Sequence, residues 1–167
     1  MVNQPVIEFS WATGGRLLEE IRRLFLEYEA SLGIDLDFQG FTSELQNLPG
    51  EYAPPDGALV LAMLNGKTAG CAALRRFSED TSEMKRLYVR EACRGYGIGR
   101  RLAIMMIEKA RSLGYSRMRL DTLSRLQEAQ NLYESLGFYD IEPYIFNPLP
   151  GARFMELRLR QPENCWR

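Results

Sequence analysis

The stretch RLYVREACRGYGIGRRL, residues 86–102, is the strongest indication of the fold in this chain. It begins inside EMKRLYV (83–89), a run typical of a β-strand, and it leads into a helical pattern over residues 99–113. Glycines stand at positions 95, 97 and 99 between the two. A loop that opens a helix presents unpaired backbone N–H groups, and glycines let a ligand approach the backbone closely. The stretch therefore predicts a strand, an anion-binding turn and a helix.

Alternating and helical patterns continue on both sides of this stretch. The other predicted helices cover residues 16–32, 43–48 and 126–136. The other predicted strands cover residues 6–10, 58–64, 68–77, 117–123, 138–141 and 153–159, with a hairpin turn at Asn65-Gly66. This order predicts an α/β (α+β) fold built on a mixed sheet.

Composition excludes several classes of protein. The 167 residues are 46% hydrophobic and 26% charged, as in ordinary globular domains, and no stretch approaches the roughly 18 apolar residues of a membrane helix. With no leader-like N-terminus, we expect a cytoplasmic protein without membrane contact. The chain has no histidine, which excludes Ser-His and Cys-His nucleophile pairs and His-ligated zinc, and no metal is expected. Cys71, Cys93 and Cys165 are expected to be free thiols.

Charge is unevenly distributed along the chain. Residues 1–60 hold ten acidic and three basic residues, whereas residues 61–167 hold twelve acidic and eighteen basic residues. Six of these bases lie between Lys85 and Arg101, with Glu91 as the only acid among them. The sequence pI of about 5.7 argues against a nucleic-acid partner. A compact polyanion fits the basic stretch better.

Two motifs together resemble a known family. Arg94-Gly95-Tyr96-Gly97-Ile98-Gly99 fits the form [RQ]-x-x-G-x-[GA], and AQNLYESLGF (129–138) fits A-x-x-x-Y-x-x-x-G-F. Over about residues 58–141 the chain resembles the GNAT superfamily of acetyl-CoA-dependent N-acetyltransferases. The resemblance implies one acetyltransferase-like domain over residues 1–167, with a twisted mixed sheet of about six to seven strands and helices on both faces. Helices within about residues 14–50 would then lie on the side of the acceptor, and about residues 58–141 would form the acyl-CoA-binding core.

The resemblance also implies a binding site for acetyl-CoA. The backbone of Leu87, Tyr88 and Val89 would pair with the pantetheine arm as an added strand would. The pyrophosphate would lie beside Arg94 on the backbone amides of Gly95, Tyr96, Gly97, Ile98, Gly99 and Arg100. Leu126 stands where relatives often carry an asparagine that contacts the arm, and Gln127 or Gln130 could supply that contact.

Two residues match catalytic positions of the family. Tyr133 would donate a proton to the departing coenzyme A sulfur, the alternative being a packed core tyrosine. Glu83 would take the proton of the acceptor amine, directly or through water. The alternative for Glu83 is an exposed carboxylate at the strand end, paired with Lys85 or Arg86.

The acceptor is expected to be a primary amine, carried by a small molecule or a peptide. Acids of the N-terminal part would either favour a cationic amine or form a solvated surface, and its aromatic residues would either line the acceptor pocket or belong to the core. The acids are Glu27, Asp35, Asp37, Glu51 and Asp56, and the aromatic residues are Tyr28, Phe38, Phe41 and Tyr52. A non-catalytic acyl-CoA-binding module is the alternative function, and a homodimer formed through the late strands is left open.

Overall fold

The computed structural model describes residues 3–159, which form four α-helices and seven strands. The helices are α1 (Gly15–Leu32), α2 (Phe41–Gln46), α3 (Ile98–Ser112) and α4 (Gln127–Ser135), and short 3-10 turns cover Asp37–Gln39, Gly50–Tyr52 and Glu91–Cys93. The strands are β1 (Ile7–Trp11), β2 (Ala58–Leu64), β3 (Lys67–Arg76), β4 (Thr81–Val89), β5 (Arg117–Leu123), β6 (Tyr139–Asp140) and β7 (Ala152–Arg158).

The strands form one sheet in the order β1-β2-β3-β4-β5-β7-β6. Neighbouring strands are antiparallel except β4 and β5, which run parallel. The Asn65-Gly66 turn joins β2 to β3 with φ of 50° and 78°, as a two-residue hairpin loop requires. The prediction of a mixed sheet of six to seven strands is confirmed.

The parallel pair separates after three residues. Thr81–Glu83 of β4 pair with Arg117–Arg119 of β5, and the remainder of β4, residues 84–89, has no partner on that side within residues 3–159. β5 nevertheless stays paired with β7 as far as Leu123. The sheet therefore opens into a wedge between β4 and β5.

Helices cover both faces of the sheet, as predicted. One hydrophobic core packs the apolar side of α3, including Leu102 and Met106, against the sheet, and Tyr133 of α4 joins it. The other core packs α1, through residues such as Ile21 and Phe25, on the opposite face. Each helix thus buries the apolar stripe that its sequence predicts.

Two elements begin two residues earlier than the sequence predicts. α2 begins at Phe41 rather than Ser43 because Asp37 Oδ1 accepts hydrogen bonds from both the backbone N–H and the hydroxyl of Thr42. β4 begins at Thr81 rather than Glu83, since Thr81 O accepts the N–H of Phe77 and closes a short β3–β4 turn. The earlier start places Glu83 inside β4 rather than at its end.

Two of the three cysteines lie in the described part of the chain. Cys71 is buried, Cys93 is half-buried, and both are free thiols. Cys165 lies outside residues 3–159. No helix within residues 3–159 is both long enough and apolar enough to cross a membrane.

Candidate active site

A groove of about 460 Å³ runs along the free edge of β4 to the start of α3. All the predicted coenzyme residues line it except Tyr96 and Arg100. The Tyr96 side chain is exposed, and Arg100 Nη1 instead donates a hydrogen bond to Ser135 Oγ at 2.9 Å. The groove is also lined by residues of α1 and α4 that the sequence did not single out, namely Ser31, Leu32, Glu128 and Leu132.

The turn between β4 and α3 presents a run of unpaired backbone donors. Within residues 3–159, no protein acceptor takes any N–H group from Gly95 to Arg100, and the first N–H with a partner is that of Arg101, bonded to Gly97 O at 3.2 Å. Three of these donors belong to the first turn of α3, where the helix dipole favours negative charge. The arrangement is an anion-binding site of the kind that helix N-termini form.

Two glycines make this turn. Gly95 and Gly97 have φ of 89° and 76°, which favour glycine over any residue with a side chain. A Cβ built on either glycine has no atom within 4 Å, so the space in front of the amides is open. Arg94 holds the turn to the strand, because its Nε donates to Val89 O at 3.2 Å.

A bulge interrupts β4 at Arg86, whose φ is 57°. The register with β3 shifts there, so that Ala73 pairs with Lys85 whereas Cys71 pairs with Tyr88. Lys85 and Arg86 consequently face the same side of the sheet, where both contact Gln39. Arg86 is fixed there by Glu44 at 2.9 Å and by the ring of Phe41.

Beyond the groove, the wedge between β4 and β5 narrows into a cavity of about 60 Å³. The groove and this inner cavity adjoin each other, and five residues line both: Tyr28, Leu32, Leu87, Leu126 and Ala129. The polar side chains of the inner cavity come from separate parts of the chain and are Tyr28, Gln39, Lys85, Arg86, Asp121, Thr122, Tyr133 and Asn147.

Tyr133 lines the inner cavity from α4. The residue is buried, and its hydroxyl makes no hydrogen bond to protein within residues 3–159. Every fully buried polar side-chain atom in that range has a hydrogen-bond partner, so the Tyr133 hydroxyl is not fully enclosed by protein. The hydroxyl therefore opens onto the cavity. Burial raises the pKa of Tyr133, with smaller contributions from Tyr28 and Asp121, so the hydroxyl keeps its proton at neutral pH.

Glu83 is buried rather than exposed, which corrects the alternative derived from sequence. Its Oε1 accepts from Arg75 Nε at 2.8 Å, and its Oε2 accepts from the Tyr144 hydroxyl at 2.7 Å. Burial raises the pKa of Glu83, but Lys85, Arg75 and the Tyr144 hydrogen bond outweigh it and lower that pKa overall. Glu83 pairs most closely with Arg75, at 2.8 Å, and also with Lys85, at 3.9 Å, as the sequence alternative expected, whereas Arg86 pairs with Glu44. Lys85 lines the inner cavity and Glu83 does not.

Lys85 and Asp121 form the charged pair that lines the cavity, and neither was predicted from the sequence as a site residue. Lys85 Nζ lies 4.0 Å from Asp121 Oδ1 and 3.9 Å from Glu83 Oε1, and its single hydrogen bond goes to Gln39 Oε1 at 3.3 Å. Burial, together with Arg86 and Arg75, lowers the pKa of Lys85 more than Glu83 and Asp121 raise it. A carboxylate in the middle of β5, where apolar residues are expected, is the one sequence signal that pointed to this site.

The acids of the N-terminal part do not line the groove or the inner cavity. Glu27 pairs with Arg90, Glu51 with Arg75 and Asp56 with Arg76. Asp35 accepts the backbone N–H of Asp37, and Asp37 accepts that of Thr42 in α2. Of the four aromatic residues considered with them, Tyr28 lines both spaces, Phe41 and Tyr52 are buried in the α1 core, and Phe38 packs against that core.

Of the two glutamines expected to supply the contact of an asparagine at position 126, Gln130 is engaged at both amide atoms, whereas Gln127 keeps an amide oxygen without a partner in the described part of the chain. Gln130 is buried, donates to Leu123 O at 2.8 Å and accepts from Arg153 at 2.8 Å. Gln127 lines the groove, but its Nε2 donates to Asn131 Oδ1 at 2.9 Å. The side chain at this point of the groove is therefore the apolar Leu126 itself.

Comparisons with known proteins identify a family and a fold. Residues 18–138 match the model of the acetyltransferase (GNAT) family. An uncharacterised N-acetyltransferase of Schizosaccharomyces pombe is 41% identical over 144 residues, which cover 85% of this chain and 88% of that protein. An acetyltransferase of the GNAT family from Staphylococcus aureus Mu50 has a similar fold, with a TM-score of 0.75, 24% identity, and coverage of 92% of this chain and 100% of that chain. The yncA protein of Salmonella typhimurium, solved with its cofactor acetyl-CoA, is similar in fold with a TM-score of 0.66, 23% identity, and coverage of 96% of this chain and 97% of that chain.

Proposed function

Since the chain belongs to the GNAT family of acetyltransferases, we propose that it transfers an acetyl group from acetyl-CoA to a primary amine held in the inner cavity. The observation that carries this proposal is the run of unpaired amides from Gly95 to Arg100 at the head of a groove that leads to Tyr133. The amides face open space, and an acyl chain in the groove would point toward the Tyr133 hydroxyl.

The turn fits the diphosphate of coenzyme A. Charge-assisted hydrogen bonds contribute about 1.5 to 3 kcal/mol each, so two or three of these amides are enough to anchor the coenzyme. The Arg94 side chain lines the same groove and adds positive charge. The free edge of β4 beyond Glu83 presents backbone groups of Leu87 to Val89, which can pair with an amide-bearing arm as an added strand does.

Acetyl-CoA supplies a thioester carbonyl carbon, to which the amine nitrogen bonds as the carbon–sulfur bond breaks. A backbone N–H of Leu87 to Val89 would stabilise the negative charge that develops on the carbonyl oxygen. Tyr133 would give its proton to the sulfur. An ammonium acceptor loses two protons on becoming an amide, of which one replaces the proton given by Tyr133 and the other leaves to solvent.

Tyr133 assists this step rather than driving it. An ordinary tyrosine has a pKa of about 10 and a thiol about 8.5, so the transfer is already uphill, and burial raises the pKa of Tyr133 further. The contribution of Tyr133 is therefore a proton held ready inside the cavity over the whole physiological range of pH. Placing the two reactants in line is expected to supply most of the rate.

The carboxylate that takes the amine proton is Glu83 or Asp121. Glu83 is the base that the sequence predicts, but both of its carboxylate oxygens accept hydrogen bonds. It contacts Lys85, which lines the cavity, and does not line the cavity itself. Asp121 lines the cavity directly, with Oδ1 near Lys85. If Glu83 acts as the base, Glu83→Gln lowers kcat at saturating acceptor; if it only positions Lys85, the variant raises KM for the acceptor instead.

A pair of assays tests the proposed function. Coenzyme A at one hundred times its Kd should stabilise the protein by about 2.7 kcal/mol, a rise in Tm of roughly 5 to 10 °C, and pantetheine, which lacks the diphosphate, should give little rise. Release of free thiol from acetyl-CoA is then measured with a panel of primary amines. Absence of a thermal shift would overturn the proposal, and binding without thiol release for any amine would assign the chain to the non-catalytic alternative.

A further inference from the structure

Lys85 and Asp121 are charged groups of the inner cavity whose ionic partners all lie beyond hydrogen-bonding distance, since Lys85 Nζ is 3.9 Å from Glu83 Oε1 and 4.0 Å from Asp121 Oδ1. Arg86 pairs with Glu44 at 2.9 Å and Arg75 pairs with Glu83 at 2.8 Å. Lys85 and Asp121 approach each other only to 4.0 Å, beyond hydrogen-bonding distance, although their side chains are 3% and 8% exposed. Two opposite charges are thus held apart in a space from which bulk water is largely excluded.

Their hydrogen-bonding capacity is only partly used. The Lys85 ammonium has three protons, and the only bond it donates within residues 3–159 goes to Gln39 Oε1. Asp121 Oδ2 accepts from Gln39 Nε2 at 3.3 Å and from Asn147 Nδ2 at 3.0 Å, whereas Oδ1 accepts no bond from those residues. Buried charges are normally paired and bonded, so the free protons of Lys85 and the free Oδ1 of Asp121 point to a ligand.

We propose that the inner cavity binds the head group of an amino acid, with Lys85 on its carboxylate and Asp121 on its amine. This inference rests on the proposed function and names the class of its acceptor. A zwitterionic head group supplies one anion and one cation a few ångströms apart, which complements the Lys85–Asp121 pair. A simple cationic amine would offer the Lys85 ammonium no hydrogen-bonding anion and would add a second positive charge beside it.

The size and the position of the cavity agree with this ligand. A volume of about 60 Å³ holds roughly four to six water-sized groups, and an amino-acid head group has five non-hydrogen atoms. Tyr133 lines the same cavity, so an amine on Asp121 lies close to the proton donor. Gln39 ties the subsite together, because its amide oxygen accepts from Lys85 and from Arg86 while its amide nitrogen donates to Asp121.

Matched acceptors test the inference. Each amino acid is compared with its amide and with the amine left after removal of the carboxylate, in the thiol-release assay with acetyl-CoA. For at least one amino acid, kcat/KM should exceed that of its amide and of its decarboxylated amine by about 10- to 100-fold, because both analogues lack the carboxylate that would bind the Lys85 ammonium. Equal or better use of the amides and amines would overturn the inference and leave the proposed function standing.

Variants locate the selectivity. Lys85→Met keeps a side chain of similar length without charge and should reduce the acid-to-amide ratio to about one, mainly through KM. Lys67→Met, which changes an exposed lysine of the same sheet, should keep the wild-type ratio. A ratio that Lys85→Met leaves unchanged would overturn the assignment.

A binding measurement separates the two proposals from each other. Amino-acid binding to the protein saturated with coenzyme A is followed by calorimetry, which needs no turnover. Wild-type protein should bind the preferred amino acid and Lys85→Met should bind it at least 10-fold more weakly. Binding that survives without any acetyl transfer would sink the proposed function alone, whereas transfer to amines without any amino-acid binding would sink this inference alone.

Discussion

The outer groove and the inner cavity are parts of one cleft, but they are built by different means. The groove is built from backbone: its anion site is a run of N–H groups between Gly95 and Arg100, fixed by two glycines at positive φ. The inner cavity is built from side chains, and its polar groups belong to residues as distant in sequence as Gln39, Lys85, Asp121 and Asn147. A site of the first kind tolerates changes of side chain, whereas a site of the second kind depends on each buried charge.

The largest effect on stability is expected for Glu83→Gln, which breaks the buried charge network behind the inner cavity. Removing one partner of a buried ion pair typically costs 3 to 5 kcal/mol, and we expect about 3 kcal/mol because Arg75 keeps Glu51 as a second partner at 2.7 Å. Urea denaturation at pH 7 measures the change. The thermal shift caused by coenzyme A should survive, since the groove does not use Glu83; loss of that shift would show that the two regions depend on each other.

The same variant has a pH signature. The pKa of Glu83 in the folded protein is lowered, so its ionised form stabilises the fold above the unfolded-state value of about 4.3. That contribution is lost as pH falls through the lower folded-state pKa. The difference in stability between wild type and Glu83→Gln should therefore shrink on acidification below about pH 4. A difference that stays constant down to the lowest pH at which wild type folds would contradict this assignment.

Tyr133→Phe tests the point where the groove meets the cavity. General acid catalysis contributes about 10²- to 10⁴-fold, and the raised pKa of Tyr133 places the expected loss of kcat near the lower limit, about 100-fold. Coenzyme A affinity should not change, because the hydroxyl faces the cavity. Tyr139→Phe is the control, since that hydroxyl is bound to Glu156 at the far edge of the sheet. Equal turnover in wild type and Tyr133→Phe would remove Tyr133 from the chemistry.

Gly97→Ala tests the groove against a matched turn. Gly97 and Gly66 have φ of 76° and 78°, and a Cβ on either meets no atom within 4 Å. Alanine at either position should cost about 1 kcal/mol of stability from its strained φ. Only Gly97→Ala should also weaken coenzyme A binding, by about 10-fold, because its methyl group stands where phosphate oxygens approach the amides. Similar coenzyme A affinity in both variants, measured by calorimetry, would place the diphosphate elsewhere.

The smallest effect is expected for Glu51→Gln, which removes the exposed partner of the same arginine that holds Glu83. The Glu51 side chain is 73% exposed and that of Glu83 is 0% exposed. Exposed ion pairs contribute about 0 to 1 kcal/mol, so the change in unfolding free energy should stay below about 0.5 kcal/mol. A loss as large as that of Glu83→Gln would mean that burial does not decide the strength of these pairs.

The same difference explains what the sequence could predict. The strand, glycine turn and helix around residues 86–102 are local, because positive φ and an open helix start depend on neighbouring residues. The strands, the mixed sheet and the helices on both faces followed from periodic patterns. Even here, the start of α2 was misjudged because its first turn is capped by Asp37 from the preceding turn.

The inner cavity could not be predicted in this way. Its charges face one another only because β4 and β5 are adjacent in the sheet and then separate, and strand order is a long-range property of the fold. Charged residues are usually exposed, and this rule suggested an exposed Glu83. In the folded chain, Tyr144 from the segment before β7 covers that carboxylate, 61 positions away in sequence.

The bulge at Arg86 lets β4 line both the groove and the inner cavity. Without the surplus residue, side chains along β4 would keep strict alternation, and Lys85 and Arg86 would point to opposite layers. With it, the alternation of side chains shifts by one residue at Arg86. Lys85 and Arg86 then both face Gln39, while Leu87 and Val89 pack toward α3 on the opposite face of the sheet. A deletion of one residue here would exchange the facings of everything downstream, so the spacing between Lys85 and the glycine turn counts as much as the identity of either.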